Sequence, residues 1–266
     1  MDGPLADETS RLRSGRRSRL AAHLFTLSFL LAWAGYSRTV EAFVLPGPIP
    51  VAVRLYQFLT TYSLYKQIFA SIDHILVAMI LSFMIGSGLA LLAYYLPILR
   101  LAVHGRISPF LNSFSGVGWT LLSIVWFGVN DGTVVFAISV VLTPFAIINM
   151  REGLETLDPE LLEMAASFTR SRWRRFTRIV APALLPFVFA TLRISFGVGW
   201  KVALAAELFG GRSGLGYLFN NARQDFDMPL ILVIVIVIVT FVYGTERLVF
   251  SPLEARLGRH RASDMP

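Results

Sequence analysis

Three charged side chains, Arg193, Lys201 and Glu207, interrupt an otherwise apolar stretch from Ile179 to Leu208. A stretch of that length and composition reads as a span of the bilayer core, where an ionised group is costly and faces protein, water or an opposite charge. Arg193 lies 11 residues past Pro182, about 16 Å along a helix. At helical spacing Arg193, Gly197, Trp200, Leu204 and Glu207 form one stripe, with Lys201 at its edge. Such a stripe can line a path for a polar solute, and its cations suit an anion. The same spacing serves a structural ion pair with another helix, or a lysine that snorkels to the headgroups. A second polar set, Asn112, Ser113, Ser115, Gly116, Gly118, Trp119 and Thr120, sits in the apolar stretch Ile107–Phe127 and suits either close packing or cavity lining.

Bond-making chemistry finds little support. The chain has no cysteine, which excludes disulfides, thiol nucleophiles and Cys-ligated zinc. Its four histidines, His23, His74, His104 and His260, show no metal-ligand spacing, and no nucleophile elbow is present. The segment Gly211-Arg212-Ser213-Gly214-Leu215-Gly216-Tyr217 has a phosphate-loop look, but Tyr217 stands where such a loop needs Lys and then Ser or Thr. The expectation is a non-catalytic chain with no metal and no cofactor of its own.

The elements that position these residues are membrane spans. Of 266 residues 55% are apolar and 15% charged, against about 45–50% and about 25% in soluble domains. Six stretches are long and oily enough to cross: Leu20–Tyr36, Ile72–Leu96, Ile107–Phe127, Thr133–Met150, Ile179–Leu208 and Pro229–Phe250. Glu246 and Arg247 suggest an earlier stop for the last. The short Gly128–Gly132 turn makes the third and fourth spans a hairpin. The run Val51–Tyr62, after the Pro/Gly-rich Leu45–Pro50, is amphipathic and predicts a helix lying in the interface.

With the N-terminus inside, cytoplasmic segments hold 16 arginines and the opposite side five basic residues, so both termini are expected in the cytoplasm. The polar arm 1–19 carries Arg11, Arg13, Arg16, Arg17 and Arg19, which predicts disorder and contact with anionic lipid rather than nucleic acid. No cleavage site follows it, so the first span is expected to be retained. The expected organisation is the arm 1–19, a first span and outside segment 20–71, a core 72–250 with a cytoplasmic loop 151–181, and a cytoplasmic tail 251–266.

That loop starts a helix at Asp158-Pro159-Glu160, with Asp as N-cap and Pro at the first helical position. Ser171 can cap a second helix that runs into the membrane. Between them, Glu163-Met164-Ala165-Ala166-Ser167-Phe168-Thr169, continuing to Ile179-Val180-Ala181-Pro182, resembles the motif of bacterial ABC-importer permeases: Glu-Ala-Ala, Gly four residues on, then Ile-x-Leu-Pro. Glu163, Ala165, Ile179 and Pro182 are in register. Met164, Ala181 and Thr169 depart, and a β-branched Thr resists the positive φ that Gly allows. Ile124–Gly132, around Trp126-Phe127-Gly128, and Ala206–Tyr217, the outside loop after the fifth span, are similar to further family turns, although His74 stands where the family often has Arg. The nearest subgroup is the nitrate, sulfonate and taurine type.

The resemblance implies an all-α polytopic transmembrane domain of the type I importer (MetI-like) kind in a bacterial inner membrane. It implies a second permease chain as a homodimer partner, a cytoplasmic ABC ATPase dimer that binds ATP and Mg, and an extracytoplasmic solute-binding protein. Glu163, Met164, Ala165, Ala166, Thr169, Arg172 and Trp173 would meet the ATPase. Asn112, Ser115, Trp119, Arg193, Trp200, Lys201 and Glu207 are the candidate pathway residues. The solute class would be a small anion or polar organic acid, although the subgroup also moves uncharged vitamin precursors. A secondary transporter or channel without an ATPase, and a membrane-embedded enzyme, stay open as alternatives.

Overall fold

The computed structural model describes residues 24–41, 43–158, 160, 163–164, 167 and 171–252. The basic arm and most of the C-terminal tail lie outside them. No strand occurs among the described residues. Contacts divide the chain into two units, one formed by residues up to Thr60 together with Ala222–Val233, the other by Thr61–Asn221 and the residues from Ile234 on.

The first unit contains α1 (Leu24–Tyr36) and α2 (Pro48–Thr60). Trp33 donates from Nε1 to the Pro46 carbonyl at 3.1 Å, tying the end of α1 to the turn before α2. Pro48 and Pro50 open α2 without losing a helical bond, because the first-turn N–H groups have no intrahelical acceptor. The helix buries Val51 and Phe58. Arg54 pairs with Asp227, whose other oxygen caps the next helix by accepting from Leu230 N at 3.1 Å.

The second unit holds the long helices, the last of them from Ile234 on. α3 (Tyr62–Tyr95) starts ten residues before the expected Ile72. Tyr62, Leu64, Tyr65 and Phe69 continue the helix past the apolar window that marked the span. α6 (Asp131–Glu155) and α7 (Trp173–Gly210) are also longer than expected, and α9 (Met228–Phe250) runs through Glu246 as a π turn instead of stopping there. The third expected span is broken: α4 (Pro97–Ser113) and α5 (Gly116–Phe127) meet at 88°. Phe114 and Ser115 are extended, and Ser115 Oγ accepts from Gly118 N at 3.1 Å as the new N-cap. Four described helices are long and apolar enough to cross a membrane, five with the bent pair as one. The first expected span begins outside the described residues, and its described part, Leu24–Tyr36, is shorter than a full crossing.

α6 is the most enclosed of the long helices and packs against α3, α5 and α7. Lipid offers no hydrophobic drive between helices, so close backbone approach matters. Gly86 of α3 supplies it: a Cβ there would lie 2.6 Å from Ala146 Cβ and 2.8 Å from the Thr143 carbonyl. Further along α6 in the same direction, Gly153 accommodates Leu184 and Phe187 of α7. A cluster of Ala90, Met150, Leu154, Val180 and Leu184 fills the space between the three helices.

Gly86→Ala should therefore lower unfolding stability by about 1–3 kcal/mol through overpacking. Gly88→Ala, where nothing lies within 4 Å of the new Cβ, should gain about 0.5–1 kcal/mol of helix propensity. Thermal unfolding in detergent distinguishes the two signs.

Candidate functional site

The charged stripe on α7 divides among three environments. Glu207, near the end of α7, is 1% exposed. A buried carboxylate carries a desolvation penalty of several kcal/mol unless donors surround it. Ser71 of α3 donates to Oε2 at 2.8 Å, and Gly216 N donates to the same oxygen at 2.9 Å. His74 Nδ1 lies 2.9 Å from Oε1. An ionised carboxylate only accepts, so Nδ1 carries the hydrogen.

The same groups hold the loop between α7 and α8 (Leu215–Gln224). Ser71 Oγ accepts from Leu215 N at 2.7 Å, and Gln67 Oε1 accepts from Gly214 N at 2.8 Å. Asp131, at the start of α6, accepts from Arg212 N at 2.9 Å and from Ser213 Oγ at 3.0 Å. The ring of His74 spans the two carboxylates, with Nε2 at 3.9 Å from Asp131. Gly214 has φ +103°, and a Cβ there would sit 2.2 Å from the Glu207 carboxyl carbon, so only glycine fits. The phosphate-loop look of this segment thus comes from glycines that let the loop close over a protein carboxylate.

Arg193 meets Glu246 of α9, with Nε donating to Oε1 at 2.9 Å and a second guanidinium nitrogen bonding the same oxygen. Both side chains are partly exposed. Trp200, 4% exposed, packs against Phe196 at 6.2 Å and Phe241 of α9 at 5.2 Å. Its Nε1 is buried with no acceptor among the described residues. Lys201 is exposed. Arg193 and Glu207 are 14 residues apart, about 21 Å along the helix, so they belong to separate clusters.

At the break between α4 and α5, Trp119 is buried, donates from Nε1 to the Leu111 carbonyl at 3.2 Å, and meets Phe110 and Phe114 edge-on. Ser115 is committed as the cap, whereas Asn112 is exposed. Gly116 lies against Val141 of α6 and Val202 of α7. Ten residues separate Val141 from Asp131, about 15 Å, so the break lies deep in the helix layer. Non-helical backbone at that depth persists only inside protein or beside water.

In the 151–181 loop, Glu160 N donates to Asp158 Oδ1 at 2.8 Å, a local cap. Glu163 and Met164 are helical and exposed. Ala165, Ala166 and Thr169 lie outside the described residues. Arg172 begins the helical turn Arg172–Arg175, and Trp173, 72% exposed, stacks on Phe176 at 6.1 Å.

Several partners were not singled out from the sequence. Ser71, Gln67 and Asp131 lie far from Glu207 in the chain and carry no motif. Glu246 was visible, but as a sign that a span had ended. Glu207→Ala should lose about 3–5 kcal/mol by stranding His74, Ser71 and Gly216 N. It should also release the loop, read as faster tryptic cleavage after the exposed Arg212.

Residues 55–249 match the family described as the binding-protein-dependent transport system inner membrane component. The chain is 28% identical over 188 residues to a putative aliphatic sulfonates transport permease of Bacillus subtilis, covering 70% of this chain and 67% of that one. It is 29% identical over 243 residues to a riboflavin transport system permease of Chloroflexus aurantiacus, covering 86% and 87%. The inward-facing MetNI methionine ABC transporter shares the fold, with TM-score 0.57 at 14% identity over 69% of this chain and 91% of that one. The family match takes in the Glu163 loop, the broken α4–α5 pair and the Glu207 clamp, and the chain belongs to the binding-protein-dependent family of ABC-transporter permeases.

Proposed function

We propose that this chain is the membrane subunit of an ATP-driven importer in a bacterial inner membrane, with both termini in the cytoplasm. The observation that carries the reading is the family match across residues 55–249, which includes a Glu163 loop whose side chains at Glu163, Met164 and Trp173 are exposed. A short helix with an exposed acid and a small-residue flank suits a groove on a cytoplasmic ATPase. Glu163 would accept from donors there, Ala165 and Ala166 would allow close approach, and Thr169, Arg172 and Trp173 would complete the contact. Closure of an ATPase dimer around ATP would then move two such loops, one from each of two permease chains, and turn the pathway between its two sides. A solute-binding protein would deliver its cargo at the opposite end, where the clamp holds the Arg212–Gly216 loop in one shape.

The broken span supports a pathway beside Asn112, Ser115 and Trp119, because interrupted helices at membrane depth border cavities. Arg193, Trp200 and Lys201 are proposed to face it at other levels. A small anion of the sulfonate or organic-acid class is favoured by the sulfonate-permease relative and by these cations. The riboflavin-permease relative supports a second reading, an uncharged aromatic solute, for which Trp200 and its aromatic neighbours would matter more than the cations.

Two measurements test the reading. Glu163→Lys removes charge-assisted hydrogen bonds of about 1.5–3 kcal/mol, so ATPase affinity should fall about 10–100-fold, with loss of co-purification and of ATP-dependent uptake. Undiminished uptake would refute the coupling role. The absence of cysteine makes single-cysteine labelling clean. Met164→Cys should react with a membrane-impermeant maleimide only after permeabilisation and Arg212→Cys in intact spheroplasts; the reverse pattern would overturn the orientation.

A further inference from the structure

Where α3 and α6 end together, the chain carries a polar hollow that involves neither the Glu207 clamp nor the residues Glu163 to Trp173 proposed to meet an ATPase. A cavity of about 170 Å³ has an apolar wall that includes Ala93, Tyr94, Pro97 and Leu154. Its polar side is Arg100, His104, Arg151 and Glu155. A second hollow of about 300 Å³ shares His104, Arg151 and Glu155 and adds Ser108 and Glu152. Arg100 donates from Nη2 and Arg151 from Nε, both at 2.9 Å, to one oxygen of Glu155. Two guanidinium groups thus share one carboxylate oxygen, and their remaining N–H groups have no acceptor among the described residues. The backbone here forms a π turn, Val103–Ile107, which widens the helix beside the hollow.

We infer that this hollow binds the phosphodiester headgroup of an anionic phospholipid. Four observations favour a lipid over other anions. The hollow lies at the ends of helices long and apolar enough to span, the level of the headgroups. One wall is apolar and the other cationic, which matches a molecule with both characters. Ile98 and Leu101, 86% and 69% exposed on either side of Arg100, offer acyl chains a surface. Tyr94 and Tyr95 stand at the end of α3, as aromatic residues do at membrane interfaces. Basic hollows between spanning helices are a known setting for acidic headgroups. Glu155 acts as the resident counter-ion: the pairs it makes are exposed and therefore weak, so a phosphate can displace it from either arginine. A bound lipid would join α4, which leads into the broken span, to the end of α6. The inference needs the chain to span a membrane, and it is independent of the solute and of the ATPase.

The test uses the full-length chain in a neutral detergent, with bound lipid counted by native mass spectrometry and thermal shift measured against each variant's own lipid-free state. Phosphatidylglycerol should bind and raise the unfolding temperature, whereas phosphatidylcholine with the same acyl chains and inorganic phosphate should do neither. Arg151→Gln should weaken phosphatidylglycerol about fivefold, the change expected for one basic side chain at an anionic surface. Glu155→Gln removes the competitor and should tighten binding by a similar factor. The opposed directions separate a site from simple loss of folding. Equal binding of phosphatidylcholine, an equal shift with inorganic phosphate, or weaker binding to Glu155→Gln would each overturn the proposal.

Discussion

A carboxylate that water cannot reach must find its hydrogen-bond donors in protein, and much of one end of this molecule is arranged around Glu207 for that reason. Its donors come from α3 and from the loop after α7. Asp131, at the head of α6, accepts from the same loop at Arg212 N and Ser213 Oγ. One buried carboxylate therefore ties the end of α7 to α3 and to the course of a surface loop. The low local dielectric strengthens each of these bonds and raises the penalty for losing one. An apolar side chain would fill the same volume without specifying the loop, and the tight fit at Gly214 has meaning only with the carboxylate present.

The opposite end and the middle follow different rules. At the opposite end, α3, α6 and α7 are held by shape, with Gly86 and Gly153 as points of close approach and Leu184 and Met150 filling the gap. In the middle, the chain gives up helical hydrogen bonds at Phe114 and Ser115 and recovers one through the serine cap. Trp119 covers the corner with its own bond to Leu111. The three regions thus differ in what holds them: hydrogen bonds to a buried carboxylate, close helix packing, and a capped break in a span.

Much of the fold was legible in the sequence because bilayer thickness imposes a length on apolar runs. The cores of α3, α6, α7 and α9 fall where hydropathy put them. Helix ends were not legible, because polar interfacial residues such as Tyr62 and Glu246 continue a helix without adding to its apolar signal. The break at Phe114–Ser115 was hidden inside a run of sufficient length, although Ser115 followed by Gly116 is a serviceable cap. The stripe residues do lie on one continuous helix, but in separate environments. Spacing along one helix cannot reveal what stands opposite each position, so Glu246 beside Arg193 and His74 beside Glu207 emerged only from the packing. The Glu163 loop was legible for another reason: its residue order, rather than its charge, carries the family resemblance.

Coupling of solute movement to an ATPase is the central claim, and reconstitution tests it most directly. The permease, the ATPase and the binding protein would be placed together in proteoliposomes, with solute accumulation and ATP hydrolysis followed side by side. Uphill accumulation that requires both ATP and the binding protein, with hydrolysis stimulated by the loaded binding protein, is the expected result. Solute flux of equal rate without ATP, running only down its gradient, would contradict it.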